Sequence, residues 1–172
     1  NSGSSALYIG VEACKFPKNS EVITPVLTFS TTVGCLVKNN LIPVFVDVGK
    51  YDYCIDVTQI EKQINEKTVA ILAPNLLGNV CNWVEINKIA KKYNLMVIED
   101  SADTLGAKIN GVPTGEYSDI SITSFYGSHI INCAGNGGAL LLNNKRIFKN
   151  AKLLRSWGRS SSLFDHNSEK IE

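Results

Sequence analysis

An α/β domain, with a mainly parallel sheet covered by helices on both faces in three layers, is what this sequence predicts. Three observations carry the prediction. Short apolar runs rich in Val and Ile alternate with longer segments of helical period. The 172 residues suffice for one domain with a sizeable core, and 44% of them are apolar. Polar residues collect at the carboxyl ends of the apolar runs, where open parallel sheets gather their ligands.

The elements follow in order. Asn1-Ser2-Gly3-Ser4 leads into a helix predicted over Ser5–Lys15. A strand is expected at Glu21–Thr24, a helix at Ser30–Asn39 and a strand at Pro43–Asp47. Asp56 caps a helix over Val57–Ile64, which precedes a strand at Val69–Ala73. Over Val84–Tyr93, Val84, Ile86, Ile89 and Ala90 fall mostly on one stripe and Lys88, Lys91 and Lys92 on the other. Strands follow at Leu95–Glu99, Ile120–Ser124 and Ala139–Leu142, then a helix at Lys145–Trp157. No helix separates the last two strands, which allows one of them to run antiparallel. Residues 1–159 form the domain, and the polar stretch 160–172 reads as a loop or tail.

Composition excludes several classes. The net charge of +1 and the absence of clustered Lys and Arg argue against a nucleic-acid or membrane surface. No apolar stretch approaches the roughly 18 residues of a transmembrane helix, and no signal peptide is expected. Five scattered cysteines without a CxxC pair imply reduced, mostly buried thiols and a cytoplasmic protein. No metal site is expected.

Several groups point to one crevice. Small residues before the first helix let backbone amides approach an anion, and the helix N-terminus adds roughly half a positive charge. Asp100 directly follows an apolar strand, where a carboxylate is costly to bury unless paired. Phe29 follows a strand end, although a core position is the commoner fate of a phenylalanine.

The run Ser124-Phe125-Tyr126-Gly127-Ser128-His129, followed by Gly135-Asn136-Gly137-Gly138, resembles the SFYxxK…GxGG segment of the DegT–DnrJ–StrS sugar aminotransferases, a fold type I family of pyridoxal-phosphate enzymes. The resemblance extends to Thr24–Thr32, to Glu99–Asp103 and, nearly letter for letter, to the NSGSSA phosphate loop of the family's histidine-bearing dehydratases. It runs from Asn1 to about Arg159. It implies a fold type I large domain with a seven-stranded, mostly parallel sheet. Family members are about twice as long, with a smaller C-terminal domain, so the chain is expected to be a fragment.

The resemblance also implies roles. Gly3, Ser4 and the Ser124 hydroxyl would contact the cofactor phosphate. Phe29 would stack on the pyridine ring, Asp100 would pair with its nitrogen, and Asp103 would line the cofactor face. Position 129 holds the cofactor-binding lysine in the aminotransferases. His129 cannot form a stable Schiff base but can exchange protons, and no lysine lies between Lys108 and Lys145. The resemblance therefore implies a pyridoxamine/pyridoxal phosphate-dependent 3-dehydratase acting on a nucleotide-linked 4-keto-6-deoxyhexose in deoxysugar or lipopolysaccharide biosynthesis. Glutamate or a similar amino acid would restore the amine, in a homodimer with shared sites. The iron-sulfur dehydratases of the family carry four cluster cysteines. Their positions here are Ala102, Ser160, Ser162 and Lys170, which points to the cluster-free type. Asn136 replaces an acid usual in the GxGG turn and Asn75 a frequent histidine; both departures leave fine substrate preference open. A sugar aminotransferase and a non-catalytic, cofactor-binding regulatory relative remain as alternatives.

Overall fold

The computed structural model describes residues 1–163. Helices α1 (Gly3–Cys14), α2 (Ser30–Lys38), α3 (Val57–Gln63), α4 (Trp83–Tyr93) and α5 (Lys145–Arg155) alternate with strands β1 (Glu21–Pro25), β2 (Ile42–Val46), β3 (Thr68–Pro74), β4 (Met96–Asp100), β7 (Ile120–Ser124) and β8 (Gly138–Leu142). Between β4 and β7 lie β5 (Lys108–Ile109) and β6 (Val112–Pro113). These pair only with each other, as a small antiparallel ribbon. The main sheet has the order β2-β1-β3-β4-β7-β8. All its pairs are parallel except β7–β8, which is antiparallel. Among the described residues the sheet thus has six strands rather than seven.

Burial on both faces explains the Val/Ile-rich strands. Alternating side chains sort into two cores. Val22, Ala70, Leu72, Ile98, Ile120 and Ile122 pack with α1, α2 and α5, whereas Ile23, Ile71, Ala73 and Val97 pack with α3 and α4. Trp83, at the start of α4, is fully buried in the second core.

Boundaries shift where local chemistry outweighs periodicity. Helix α1 begins two residues early because Ser2 is its cap: the Ser2 hydroxyl accepts from the Ser5 amide at 3.0 Å. Gly3 and Ser4 are therefore its first turn, not a loop before it. It stops at Cys14 because Lys15 adopts a left-handed conformation (φ 56°). Asp56 caps α3 as expected, accepting from the Thr58 amide. Strand β4 runs one residue past Glu99, so Asp100 is its last residue, registered between Pro74 and Ile122. Residues 160–163 form one turn of 3-10 helix against α5 rather than a loop, with the Ser162 hydroxyl donating to the Lys152 carbonyl at 3.4 Å. The rest of the predicted tail, Lys170 included, lies outside the described residues.

Four cysteines are buried and Cys133 is exposed; all are free thiols. Burial pushes Cys14 and Cys35 up to about 12, so both are neutral at physiological pH. No described helix is long and apolar enough to cross a membrane.

The carboxyl ends of β3 and β4 are fixed by Asn75, whose side chain uses all four hydrogen-bonding positions. Its Nδ2 donates to Glu99 Oε1 and Ser101 Oγ, both at 2.9 Å. Its Oδ1 accepts from the Cys81 amide at 3.0 Å and from Trp83 Nε1 at 2.9 Å. Asn75 is 1% exposed, and its side chain is committed to this buried network although the residue also borders the cleft described below. Replacing it with leucine would leave two buried donors unpaired, the Cys81 amide and Trp83 Nε1, at about 1–3 kcal/mol each. Asn75→Leu is expected to destabilise the intact protein by about 2 kcal/mol or more in denaturant unfolding. A loss below about 1 kcal/mol would show the network to be dispensable.

Candidate active site

The sheet order changes direction at β1, whose neighbours β2 and β3 lead the chain to opposite sides. Crevices open at such switch points, outside the carboxyl ends of the strands. A cleft of about 810 Å³ lies there, lined by segments from α1, the β1–α2 loop, the ends of β3, β4 and β7, and the turn after β7. All seven residues singled out from sequence line it: Gly3, Ser4, Phe29, Asp100, Asp103, Ser124 and His129.

One end of the cleft is built by close backbone approach. The first four amides of a helix have no intrahelical acceptor. In α1, Ser2 takes up two of them, through its hydroxyl to Ser5 and its carbonyl to Ala6. The amides of Gly3 and Ser4 are left at the cleft, beside Ser124. A Cβ on Gly3 would sit 2.6 Å from Ser124 Cβ, and one on Gly138 would collide with the Ser2 carbonyl and lie 2.6 Å from the Gly3 nitrogen. Both glycines are required for α1 to start directly against β7 and β8. The Ser4 hydroxyl donates to Thr31 Oγ1 at 3.0 Å, tying this end to α2.

Asp100 forms the floor and is 7% exposed. Thr32 donates its hydroxyl to Oδ2 at 2.9 Å, and the Ala102 amide donates to Oδ1 at 3.2 Å. Burial raises the carboxyl above the usual aspartate range. The two donors and His129 pull it down, while Asp103 pushes it up. No Lys or Arg lines the cleft among the described residues. A desolvated carboxylate without a cationic partner favours a ligand that brings positive charge.

Phe29 is 68% exposed at the cleft and so is not a core residue. Its backbone occupies the cap position of α2, which leaves the ring free of the core. The Thr28 hydroxyl, also in the lining, is buried without a partner. Asn136 lines the opening. His129 closes a tight turn after β7, its amide donating to the Tyr126 carbonyl at 2.9 Å. The Tyr126 ring meets the imidazole edge-on at 5.9 Å between centroids. His129 Nε2 lies 3.6 Å from Asp103 Oδ1. Thr32, Leu77 and Tyr126 belong to the site without having been singled out from sequence. The first-turn hydroxyl of Thr32, aimed at the sheet, is a signal that could have been used; Leu77 contributes a backbone group and leaves no trace in residue type.

The model of the DegT/DnrJ/EryC1/StrS aminotransferase family matches residues 1–171, and the chain belongs to that family. The lipopolysaccharide biosynthesis protein RfbH of Salmonella typhimurium is 42% identical over 166 residues, covering 92% of this chain and 38% of that protein. The dTDP-4-dehydro-2,6-dideoxy-D-glucose 3-dehydratase of Saccharopolyspora spinosa is 36% identical over 167 residues, covering 92% and 36%. The chain spans about two fifths of the length of these curated relatives. Among solved structures, GDP-4-keto-6-deoxymannose-3-dehydratase with a trapped PLP-glutamate geminal diamine superposes with a TM-score of 0.89 at 29% identity, over 95% of this chain and 44% of that one.

The state of Asp100 yields a stability prediction. Its folded pKa is raised, so the folded state holds this proton more tightly than the unfolded chain. Stability therefore falls as pH rises from the ordinary aspartate value through the raised one, and stays lowered above it. Asp100→Asn removes that loss. The cofactor-free variant is expected to melt higher than wild type at neutral pH, by about 2–4 °C per kcal/mol regained. The gain should vanish below the ordinary aspartate pKa of about 3.9. A lower melting temperature at neutral pH would contradict a strained carboxylate.

Proposed function

We propose that this member of the DegT/DnrJ/EryC1/StrS aminotransferase family is the large domain, residues 1–159, of a 3-dehydratase acting on a nucleotide-linked 4-keto-6-deoxyhexose with pyridoxamine/pyridoxal phosphate. The observation that carries the reading is His129 at the mouth of the cleft, in the position where the motif otherwise has lysine. The imidazole has no amine with which to tether the cofactor. The aminotransferase alternative needs that amine, and among the described residues no lysine lines the cleft.

The residues present fit the cofactor. The Gly3 and Ser4 amides with the Ser124 hydroxyl would hold its phosphate, using the partial positive charge of the α1 N-terminus. Phe29 offers an exposed ring for stacking. Asp100, buried and without a cation, would hold a protonated pyridine nitrogen, with Thr32 and the Ala102 amide fixing the carboxylate's orientation. When bound, the pyridoxamine form supplies an amine for the C4 ketone of the sugar and a ring that accepts electrons. His129 would remove the proton from the cofactor's C4′ carbon and could return it to the departing C3 hydroxyl. Glutamate would restore the amine. The setting we infer is cytoplasmic deoxysugar synthesis, including that of lipopolysaccharide, by a homodimer whose subunits share sites.

His129→Asn is expected to leave cofactor affinity within about threefold of wild type. Formation of the 3-deoxy product from GDP-4-keto-6-deoxymannose should drop roughly 10²–10⁴-fold, the contribution of a positioned acid–base group. Wild-type rates in this variant would remove His129 from the mechanism.

A second expectation concerns iron. Ala102, Ser160, Ser162 and Lys170 occupy the positions of the cluster cysteines, so anaerobically purified protein should contain no stoichiometric iron. About two irons per chain, the content of a two-iron cluster, would place the enzyme in the other branch.

A further inference from the structure

Five side-chain hydroxyls surround the start of α1: Ser2, Ser4, Ser5, Thr31 and Ser124. Each has one hydrogen to donate. Three of those hydrogens are spent inside the protein: Ser2 donates to Ser5 Oγ at 3.0 Å, Ser5 to Asn1 Oδ1 at 2.6 Å and Ser4 to Thr31 Oγ1 at 3.0 Å. Ser124 accepts from the Tyr126 amide at 3.3 Å and keeps its own hydrogen. Thr31 accepts from Ser4 and likewise keeps its own. Both residues line the cleft. The two carboxylates of the cleft have donors elsewhere. Asp100 is served by Thr32 and the Ala102 amide, and Asp103 accepts from the Leu77 amide at 3.1 Å.

We infer that Thr31 is a further phosphate contact, its hydroxyl donating to the anion that the Gly3 and Ser4 amides and the Ser124 hydroxyl would hold. The role rests on the cofactor placement proposed above. No Lys or Arg lines the cleft among the described residues. An anion at this end is therefore held by neutral donors, and a hydrogen bond to a charged acceptor is worth more than one between neutral groups. Thr31 reaches this end from α2. The bond from Ser4 holds its oxygen in place, and a β-branched side chain is stiff about its first torsion. Successive helical residues point about 100° apart, which divides the first turn of α2 among the parts of one ligand. Phe29, the cap residue, presents its ring to the cleft. Thr31 turns to the α1 end, and its neighbour Thr32 turns to Asp100 on the floor. Ring face, phosphate and pyridine nitrogen would each be met from that one turn, so their spacing is set by helical geometry and not by loop conformation.

The test compares two ligands on the intact, cofactor-free protein: pyridoxamine phosphate, and pyridoxamine, which lacks the phosphate. The variants are Thr31→Val, Thr31→Ala and Thr31→Ser, each first shown by thermal melting to be folded. Thr31→Val and Thr31→Ala should weaken pyridoxamine phosphate binding roughly 10–10²-fold, the worth of one hydrogen bond to a charged group. Pyridoxamine affinity, read by competition, should stay within about threefold of wild type, because the lost donor served only the phosphate. Thr31→Ser keeps the hydroxyl and should recover pyridoxamine phosphate affinity to within about threefold. Phosphorus-31 spectra of the bound cofactor should shift in Thr31→Val and return toward wild type in Thr31→Ser. Equal losses for both ligands would make Thr31 only a tie between α1 and α2 and overturn the inference. So would pyridoxamine phosphate binding that is unchanged in Thr31→Val and Thr31→Ala. Wild-type protein with no preference for pyridoxamine phosphate over pyridoxamine would remove the phosphate from this end of the cleft. That outcome defeats the cofactor placement itself, and the inference with it, and is distinct from a silent Thr31→Val.

Discussion

Strand β4 ends on two consecutive carboxylates, Glu99 and Asp100, at 0% and 7% exposure, and the arrangement of the site depends on how each is accommodated. Alternation along the strand sends them to opposite faces of the sheet. On the face of α3 and α4, Glu99 is surrounded by donors: Asn75 at 2.9 Å, the Ser101 hydroxyl at 2.6 Å and the Ser118 hydroxyl at 3.4 Å. That side is closed. On the other face Asp100 receives two donors and then meets the cleft. The same backbone that closes one carboxylate into the interior holds the other open to a ligand. Because Asn75 also donates its amide to the Asp100 carbonyl at 2.9 Å, the buried network behind β4 fixes the position of the residue in front.

The second constraint is steric. Helix α1 starts so close to β7 and β8 that side chains at Gly3 and Gly138 have no room. That proximity brings the free amides of one element to the Ser124 hydroxyl of another without any long side chain. The Ser4–Thr31 bond then links the same end to α2, whose first turn supplies Thr32 to Asp100. The α1 end of the cleft and its floor are thus connected through one helix, α2, whose cap residue is Phe29.

Much of this was legible in the sequence, and the exceptions have a common cause. Among the described residues, apolar runs and helical period located all six strands of the main sheet and all five α-helices, because burial on two faces leaves a strong compositional trace. Ends were less legible. The Ser2 cap, the left-handed Lys15 and the extension of β4 to Asp100 are set by single hydrogen bonds or torsions, which periodicity does not register. The ribbon β5–β6 has two-residue strands, too short to show alternation. Motif resemblance pointed to seven residues that the fold brings to one cleft. It could not supply the Leu77 amide, since a backbone donor is independent of residue type. Nor could it show the hydrogen bonds of Asn75, because a motif records which residue stands at a position and not which way its side chain points.

The charge balance of the cleft separates what the chain provides from what it must receive. Its negative groups are Asp100 and Asp103, and no Lys or Arg lines it among the described residues. Its positive contributions are the partial charge at the α1 N-terminus, at one end, and a proton on His129, at the other. A ligand complementary to this field carries an anion toward Gly3 and Ser4, a cation over Asp100, and an acidic hydrogen near His129. Phosphate, pyridinium and an activated C4′ hydrogen are those three groups in pyridoxamine phosphate. A lysine at position 129 would place a permanent full cation beside Asp103 in the free protein. A histidine there has no amine with which to tether a cofactor and can exchange protons, which is what the proposed dehydratase reading asks of it.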